Sequence, residues 1–348
     1  MDAFTFAIPG DLSLPTGGYA YDRRVIEEAP GAGGMLTPLA LPPGFPFPTG
    51  AELEASAQAL AALPPGQKVL IDGLAFGALP VDLLQALGRP LAALVHHPLA
   101  LESGLGEGQR AALFASEKAA LAQAQAVIAT SPATARRLVQ DYGVPPGRLC
   151  VALPGTDPAP RARGSGQPPR LLAVGAVIPR KAHGVLVEAL ARLTDLAWDC
   201  RIVGATDRDP AETARVSGLI DTHGLGDRIR LTGALAPELL AEVFDDADLF
   251  VTASLFEGYG MGLTEALARG LPLVATRAGA IPDTVPAETA LLVEPGDAAG
   301  LAQALRDLIA APHTRARLAQ AAWRHGQNLP SWTQTAATVL AALKEMPR

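Results

Sequence analysis

The hydrophobic positions of this chain form two kinds of segment that alternate from end to end. Short runs rich in Val, Ile and Leu are apolar at almost every position, as in AVIATS (126–131) and LFVTAS (249–254). Longer Ala-rich segments, such as QRAALFASEKAALAQAQ, have the composition of helices. Because a strand that helices cover on both faces is apolar throughout, this pattern predicts an α/β protein with parallel, doubly wound sheets.

The runs place the predicted strands along the chain. In the first half we expect strands at 3–8, 68–73, 91–97, 126–131 and 148–155, and one edge strand within the proline-rich stretch 35–50. In the second half we expect them at 170–175, 199–204, 228–233, 249–254, 271–277 and 291–295. The run GTDPAPRARGSGQPP (155–169) is the clearest linker. It predicts a first domain at 1–160 and a second at 170–328.

Composition excludes several classes of protein. The net charge is −7, divided as 9 basic and 14 acidic residues up to Pro160 and 19 and 21 after it, so neither half favours nucleic-acid binding. Cys150 and Cys200 lie in apolar runs, which predicts core thiols in a reducing compartment. We find neither a signal peptide nor about 18 consecutive apolar residues, so a cytoplasmic protein is expected, with at most peripheral membrane contact.

The stretch 248–285 contains the most informative chemistry. It predicts a strand, a glycine-rich loop, a helix (MGLTEALAR) closed by Gly270, and a second strand. Ligands of such βαβ units bind at the carboxyl edge of the strands. Glu257 and Glu265 flank that edge, so both are candidates to accept hydrogen bonds from ligand hydroxyls. A glutamate in a first helical turn also simply favours the helix dipole.

The whole run resembles the E-x7-E signature of the retaining glycosyltransferases of family 4, with the flanking EG-x-G, EA-A-x-G-P-V-A and GAIPD segments. The resemblance is strong over about 170–307 and weaker before it. It implies that Glu257 contacts the hydroxyls of the donor sugar and that Glu265 binds the ribose of the nucleotide. The other candidate donor-binding residues follow Glu257 directly: Gly258, Tyr259, Gly260, Met261, Gly262 and Leu263.

Arg180 and Lys181 stand at a helix entrance above the same sheet edge, where cations suit a diphosphate. Family loops of the form GR-xx-x-x-KG supply an arginine and a lysine to the pyrophosphate, which implies that role here. This chain departs from the pattern, because Ala176 stands where the arginine is usual. Arg180 is the candidate to replace it.

Candidate residues of the first half are fewer. The family resemblance implies that Gly17 and Gly18 face the donor phosphates and that a histidine at the end of a strand meets the donor sugar; of His96 and His97 we favour His97. Tyr19, Tyr21, Asp22 and the two arginines after it fit either an acceptor-side lining or a solvated helix face.

The resemblance implies a GT-B fold, in which two Rossmann-like domains face a cleft and a C-terminal helix (331–348) crosses back to the first domain, anchored by Trp332. It also implies transfer of a hexosyl unit from a nucleotide diphosphate sugar, a UDP-sugar being favoured, with retention of configuration. No DxD motif stands at the end of a predicted strand, and Arg180 with Lys181 would stabilise the leaving diphosphate, so we expect no metal or other cofactor. An epimerase or a non-catalytic binder of the same donor remains an alternative. An oxidoreductase is disfavoured, since no strand is followed by G-x-G-x-x-G.

The acceptor is the least defined partner. PTGGYAYDRR and VHHPLALESGL resemble segments of small glycolipid-forming members of the family, which implies a membrane lipid such as diacylglycerol. A soluble sugar or glycan is the alternative. The segment MLTPLALPPGFPFP adds Phe45 and Phe47 as candidates for insertion into a membrane interface, or for packing on their own domain.

Overall fold

The structure is a computed structural model that describes residues 2–102 and 104–347. The chain forms two compact units, the first from Met1–Gly155 with Pro330–Arg348 and the second from Thr156–Leu329. Each unit contains one six-stranded sheet whose strand pairs are all parallel, with helices between successive strands. The α/β architecture that the apolar runs predicted is therefore confirmed.

The sheet of the first unit has the strand order β2-β1-β3-β4-β5-β6. From β1 the chain passes to β2 on one side, whereas from β3 it passes to β4 on the other. The connections therefore diverge between β1 and β3, which makes the carboxyl edge there a topological switch point. The strands are β1 (Asp2–Pro9), β2 (Gly34–Leu41), β3 (Val69–Asp72), β4 (Leu91–Val95), β5 (Ala126–Ala129) and β6 (Leu149–Val151).

Helices cover this sheet, and several begin at caps that the sequence makes visible. Ser131 caps α6 with Pro132 at its first position, as predicted, and Thr49 forms a capping box with Glu52 at the start of α2. The helices of the unit are α1 (Gly17–Glu28), α2 (Gly50–Ala61), α3 (Gly73–Phe76), α4 (Val81–Ala86), α5 (Glu107–Leu121), α6 (Pro132–Gln140) and, from the end of the chain, α14 (Trp332–Glu345).

The second sheet has the order β12-β11-β10-β7-β8-β9, with its switch point between β7 and β10. Its strands are β7 (Arg170–Val174), β8 (Asp199–Val203), β9 (Ile229–Leu231), β10 (Leu249–Val251), β11 (Leu273–Thr276) and β12 (Ala290–Val293). Its helices are α7 (His183–Ala191), α8 (Pro210–Thr222), α9 (Pro237–Asp245), α10 (Met261–Ala268), α11 (Ile281–Thr284), α12 (Ala298–Ile309) and α13 (Pro312–Gly326).

Local signals account for the end of α10. Gly270 has φ of 70° and donates its N–H to the carbonyl of Leu267, while Leu271 donates to the carbonyl of Ala266. These two bonds form a Schellman motif, which requires the left-handed conformation that glycine adopts without strain. The predicted end of this helix is confirmed, and the next strand begins directly after it.

Three expectations from the sequence need correction or refinement. Helix α13 was not predicted, because its sequence PHTRARLAQAAWRHG is polar and its buried face is small, made by Leu318, Ala321 and Ala322. Phe45 is only 8% exposed and packs in the core of the first unit, so it is not a candidate for membrane insertion, whereas Phe47 is 51% exposed. Cys200 is buried as expected, but Cys150 is only half-buried, and both are free thiols.

Helix α14 packs on α1 of the first unit. Trp332 lies edge-on to Tyr21 with ring centroids 5.8 Å apart, and the guanidinium of Arg24 lies 5.2 Å from the Trp332 ring. At the other end of the helix, the Lys68 ammonium donates to the carbonyls of Leu343, Lys344 and Met346 at 2.6–3.0 Å. The lysine thus satisfies carbonyls that the helix leaves unpaired.

Lys68→Met should detach the last turn of α14. We expect a loss of about 1–2 kcal/mol in the free energy of unfolding, because three carbonyls lose a charged donor. The control is Lys118→Met, since that lysine donates to a single exposed carbonyl, that of Asp141. Hydrogen exchange should accelerate at the C-terminal end of α14 in the Lys68 variant alone, and equal stability of the two variants would refute the clamp.

Candidate active site

The two loops at the switch point of the second sheet, together with helix α10 that follows one of them, carry most of the predicted site residues. One follows β7 and contains Arg180 and Lys181 in a short 3-10 helix (Pro179–Lys181). The other follows β10 and contains Ser254 and Glu257. Since β7 and β10 are paired neighbours, the two loops begin side by side although they lead to opposite halves of the sheet.

A charged cluster joins these loops. Lys181 Nζ and Ser254 Oγ each donate to Glu257 Oε1 at 2.6 Å, and Arg180 Nη1 lies 3.7 Å from Glu257 Oε2. Burial alone would raise the pKa of Glu257, but Lys181 and then Arg180 outweigh it and hold the pKa below its ordinary value. Glu257 is therefore a buried, ionised carboxylate with two cations beside it.

Backbone hydrogen bonds fix the same two loops. The N–H of Leu255 donates to the carbonyl of Arg180, and Arg180 Nη1 donates to the carbonyl of Phe256. From the following segments, Thr276 Oγ1 donates to the carbonyl of Ser254, and Thr284 Oγ1 to that of Tyr259. The position of Glu257 is therefore set by the surrounding chain as well as by its ion pairs.

Gly279 allows a close approach to this loop. The N–H of the next residue, Ala280, donates to the carbonyl of Glu257 at 2.9 Å. A Cβ at Gly279 would lie 2.2 Å from that carbonyl oxygen, and its φ is 57°. A side chain here would both displace the Glu257 backbone and strain its own.

Helix α10 begins at the end of the same loop, and no side chain in the described part of the protein caps it. Its N-cap is Gly260, with φ of 96°, and the first helical amides belong to Met261 and Gly262. Amides of a first turn have no partner inside the helix, and the helix dipole favours an anion in front of them. Tyr259 is buried, with a pKa raised to about 12 by burial, while Gly258 is half-buried and Leu263 is part of the core.

Glu265 lies one turn into α10 and differs in environment from Glu257. Its half-buried carboxylate accepts no hydrogen bond from the described residues, and Arg269 donates to its main-chain carbonyl instead. Burial raises the pKa of Glu265 to about 7, although Arg269 lowers it and Asp157 raises it further. A carboxylate that accepts no hydrogen bond from the described protein residues suits a ligand whose hydroxyl groups can donate to it.

The loop after β7 places Lys181 by close packing. A Cβ at Gly175 would lie 2.9 Å from Lys181 Cε, so this glycine makes room for the lysine chain. Ala182 follows with φ of 49°, a left-handed conformation that is uncommon for alanine. Ala176 carries no charge, and Arg180 is the arginine that this loop brings to Glu257.

In the first unit the predicted residues do not all converge. Gly17 and Gly18 form the first turn of α1, and a Cβ at Gly18 would lie 3.3 Å from the ring of His96. His97, which we favoured, pairs with Glu102 instead, with Nε2 3.1 Å from Oε2. Gly18 is thus beside His96, whereas His97 belongs to a different set of contacts.

Sequence reasoning missed the partners of His96. Its Nε2 lies 3.1 Å from Asp22 Oδ1 and 3.4 Å from Asp72 Oδ2. Asp22 is fully buried, so it is not part of a solvated helix face. The ligand-type atoms of these three residues lie within 4.8 Å of one another, but one nitrogen at hydrogen-bond distance from two carboxylates is the geometry of a shared N–H. We therefore describe the group as an ion cluster.

Two parallel Rossmann-like sheets, each with a topological switch point, are the architecture of a GT-B glycosyltransferase. Known proteins agree. Residues 168–311 match the family model described as Glycosyl transferases group 1, and residues 69–160 match Glycosyltransferase Family 4. The chain belongs to the family 4 glycosyltransferases.

Individual relatives support this assignment. An MMP alpha-(1->4)-mannosyltransferase of Mycolicibacterium hassiacum is 30% identical over 319 residues, 87% of this chain and 76% of the relative. A D-inositol 3-phosphate glycosyltransferase of Rhodococcus opacus is 32% identical over 278 residues, 74% of this chain. The chain covers 62% of the length of that relative.

Solved structures show the same fold. Sucrose-phosphate synthase from Thermosynechococcus elongatus superposes with a TM-score of 0.84 at 24% identity, over 98% of both chains. Anabaena HepE in complex with UDP and glucose gives a TM-score of 0.78 at 16% identity, over 98% of this chain and 99% of HepE.

Gly279→Ala should disrupt the Glu257 loop. We expect a loss of about 2 kcal/mol or more in the free energy of unfolding, from the left-handed φ and the clash with the Glu257 carbonyl. The control is Gly218→Ala, at an exposed position of α8 with nothing within 4 Å of a new Cβ. That control should stabilise the helix by about 0.5–1 kcal/mol. Thermal unfolding of both variants would expose an error if Gly279→Ala were as stable as the parent.

Proposed function

We propose that this glycosyltransferase moves a hexosyl unit from a nucleotide diphosphate sugar, with UDP-sugars favoured, to an acceptor hydroxyl with retention of configuration. The observation that carries the proposal is the Arg180–Lys181–Glu257 cluster at the switch point of the second sheet. It supplies positive charge where a diphosphate would leave and an ionised carboxylate beside it.

The charges match those that develop when the glycosidic bond to the diphosphate breaks. The leaving diphosphate gains negative charge, which Arg180, Lys181 and the amides of the α10 N-terminus stabilise. The sugar gains positive charge, which the ionised carboxylate of Glu257 stabilises. The acceptor hydroxyl attacks from the face that the diphosphate leaves and gives its proton to a phosphate oxygen. No protein nucleophile is needed in this scheme.

We also propose that the reaction is independent of metal ions. Arg180 and Lys181 beside the single carboxylate of Glu257 give the cluster a net positive charge. This charge stabilises a leaving diphosphate, as a divalent cation would. Activity should therefore persist in a chelator.

For the acceptor we propose a soluble sugar or cyclitol, in free or phosphorylated form. The names of the relatives favour this class, since they include a D-inositol 3-phosphate glycosyltransferase and a mannosylfructose-phosphate synthase of Agrobacterium fabrum. A membrane lipid is the second candidate. It is favoured by Leu14 and Phe47, which are 41% and 51% exposed in loops that follow β1 and β2.

Within the described residues, no helix has the length and apolarity that crossing a bilayer requires. A lipid acceptor would thus be reached through surface side chains such as Phe47. Liposome co-sedimentation of the parent and of Phe47→Ser tests this candidate directly. Lipid binding that Phe47→Ser abolishes, together with a glycolipid product, would replace the soluble acceptor in our proposal.

The deciding experiment is an assay with a panel of nucleotide sugars. Each donor is offered with D-inositol 3-phosphate, fructose 6-phosphate or diacylglycerol liposomes, with and without chelator, and the anomeric configuration of the product is read by proton NMR. A retained glycoside of a soluble acceptor is expected. An inverted product, an epimerised donor or complete loss in chelator would each overturn the corresponding part of the proposal.

Arg180→Ala and Lys181→Ala should each reduce turnover by about tenfold or more, because a cation that stabilises the leaving diphosphate is lost. Both variants should remain folded. Lys181→Arg, which keeps the charge, is the matched control and should lose less. Turnover within about twofold of the parent in either alanine variant would contradict the electrostatic role.

Glu265 should give nucleotide binding a pH dependence. Its pKa of about 7 means that the carboxyl group is partly protonated at neutral pH, while ribose hydroxyls donate best to the ionised form. The affinity for free UDP should therefore be higher at about pH 8 than at about pH 6. Glu265→Gln should bind about 1–3 kcal/mol more weakly and lose this component.

Calorimetric titration of the parent and of Glu265→Gln with UDP, at about pH 6 and about pH 8, measures how the affinity of each protein depends on pH. Titration of the UDP phosphate is common to the two proteins, so only the difference between them reports Glu265. Glu257→Gln is the comparison variant and should reduce turnover more than UDP affinity. Parallel pH profiles of the parent and Glu265→Gln would remove Glu265 from the nucleotide site.

A further inference from the structure

His96 directly follows β4, and two carboxylates contact one nitrogen of its ring. Nε2 lies 3.1 Å from Asp22 Oδ1 and 3.4 Å from Asp72 Oδ2, so one ring nitrogen serves both acidic groups. Asp72 is in turn fixed, because its other oxygen accepts the N–H of Leu74 at 2.9 Å as the cap of α3. Asp72 therefore has no freedom to turn away from the ring.

Asp22 contributes the stronger constraint. It is fully buried in α1, and its second oxygen, Oδ2, has no hydrogen-bond partner among the residues that the structure describes. A buried carboxylate with an unpaired oxygen is costly unless the other oxygen meets a positive charge. The other charged or titratable groups around it are Arg23, its neighbour on α1, and Tyr21, whose ring lies edge-on to His96 at 5.3 Å.

The opposite side of the His96 ring is accessible. The side chain of His96 is 20% exposed. Its Nδ1 has no hydrogen-bond partner among the described residues, and it is not one of their fully buried polar atoms. Gly18 lies against the same ring, since a Cβ there would be 3.3 Å from its Cδ2. Because Gly18 lies nearest Cδ2 and Nε2, it covers the edge of the ring that also faces the carboxylates, which leaves Nδ1 as the polar atom of the ring available to a ligand.

The main chain of His96 is already occupied. Its carbonyl accepts from Thr130 Oγ1 at 3.1 Å, and Thr134 Oγ1 lies 3.5 Å away. This leaves the ring, rather than the carbonyl, as the group of His96 that can contact a substrate.

We propose that Asp22 and Asp72 are positioning residues that keep His96 doubly protonated, so that its Nδ1–H is a permanent hydrogen-bond donor to an oxygen of the substrate and His96 does not act as a general base. The inference rests on the proposed function and deepens it. A proton released by the acceptor hydroxyl then cannot pass to this histidine, which agrees with its transfer to a phosphate oxygen.

The electrostatics support this assignment. Burial would lower the pKa of His96, but Asp22 and then Asp72 outweigh it and raise the pKa to about 10. Burial raises the pKa of Asp22 to about 6, with His96 opposing the rise, so Asp22 is mostly ionised at neutral pH. Because the folded pKa of His96 lies above its unfolded value, the stabilisation is complete below about pH 6.5 and is lost as the pH rises through about 10.

NMR decides the protonation state without any substrate. In protein labelled at histidine, the His96 signals are identified by their loss in His96→Gln. They should report an imidazolium with both nitrogens protonated from about pH 6 to about pH 9. In Asp72→Asn, which keeps the cap of α3, the transition should move down by about one pH unit or more. The control is Asp82→Asn, on the exposed face of α4, which should leave the His96 signals unchanged.

Kinetics then decide the role of the proton. With the donor that the panel identifies, turnover of the parent should be flat through the neutral range. In Asp72→Asn, turnover should fall as the pH rises through the lowered pKa of His96, because the Nδ1–H hydrogen bond to the substrate is lost. A general base would give the opposite slope. His96→Gln, whose amide still donates, should retain more turnover than His96→Leu.

The outcomes are separable. A neutral His96 at about pH 7 overturns the inference whatever the activity of the protein. Turnover that rises with pH through the His96 transition overturns the donor role, as does equal loss in His96→Gln and His96→Leu. If the panel gives no product, the proposed function fails, and a His96 signal that UDP or UDP-glucose does not perturb then overturns the substrate contact as well.

Discussion

The ion pair between Lys181 and Glu257 is the interaction on which the second unit's site depends. The strand order of the sheet opens a gap where the loops after β7 and β10 diverge, and this pair closes it at 2.6 Å. A buried glutamate alone in this gap would protonate or destabilise the fold. Its partners are also the cations proposed to meet the diphosphate, so the charges that fix this loop are the ones proposed to act on the ligand.

The first unit contains the inverse arrangement. Where the second unit surrounds one carboxylate with two cations, the first surrounds one imidazole with two carboxylates, and each group borders a strand that flanks a switch point. Both follow from the same topology, because diverging connections leave polar groups at a sheet edge without helix cover. The central group is an anionic carboxylate in the second unit and an imidazole in the first. The groups around it are therefore cations in the second unit and carboxylates in the first.

Local patterns made the strands, the end of α10 and the family motif around Glu257 predictable, because the residues concerned are close in sequence. The His96 cluster was not predictable in this way, since 74 residues separate His96 from Asp22. Likewise, Phe45 looked available in the sequence because nothing local shows that the core of the first unit covers it. Pattern reasoning finds elements and contiguous motifs, whereas pairing between distant loops requires the folded chain.

Gly155 shows how the second unit is connected. A Cβ there would lie 2.3 Å from the backbone nitrogen of Trp332, so the point where the chain leaves the first unit touches the point where it returns. Topologically, residues 156–329 are an insertion between two adjoining positions of a protein that is otherwise continuous. Such a junction permits recombination to exchange the inserted unit, together with its Arg180–Lys181–Glu257 cluster, without interrupting the first unit.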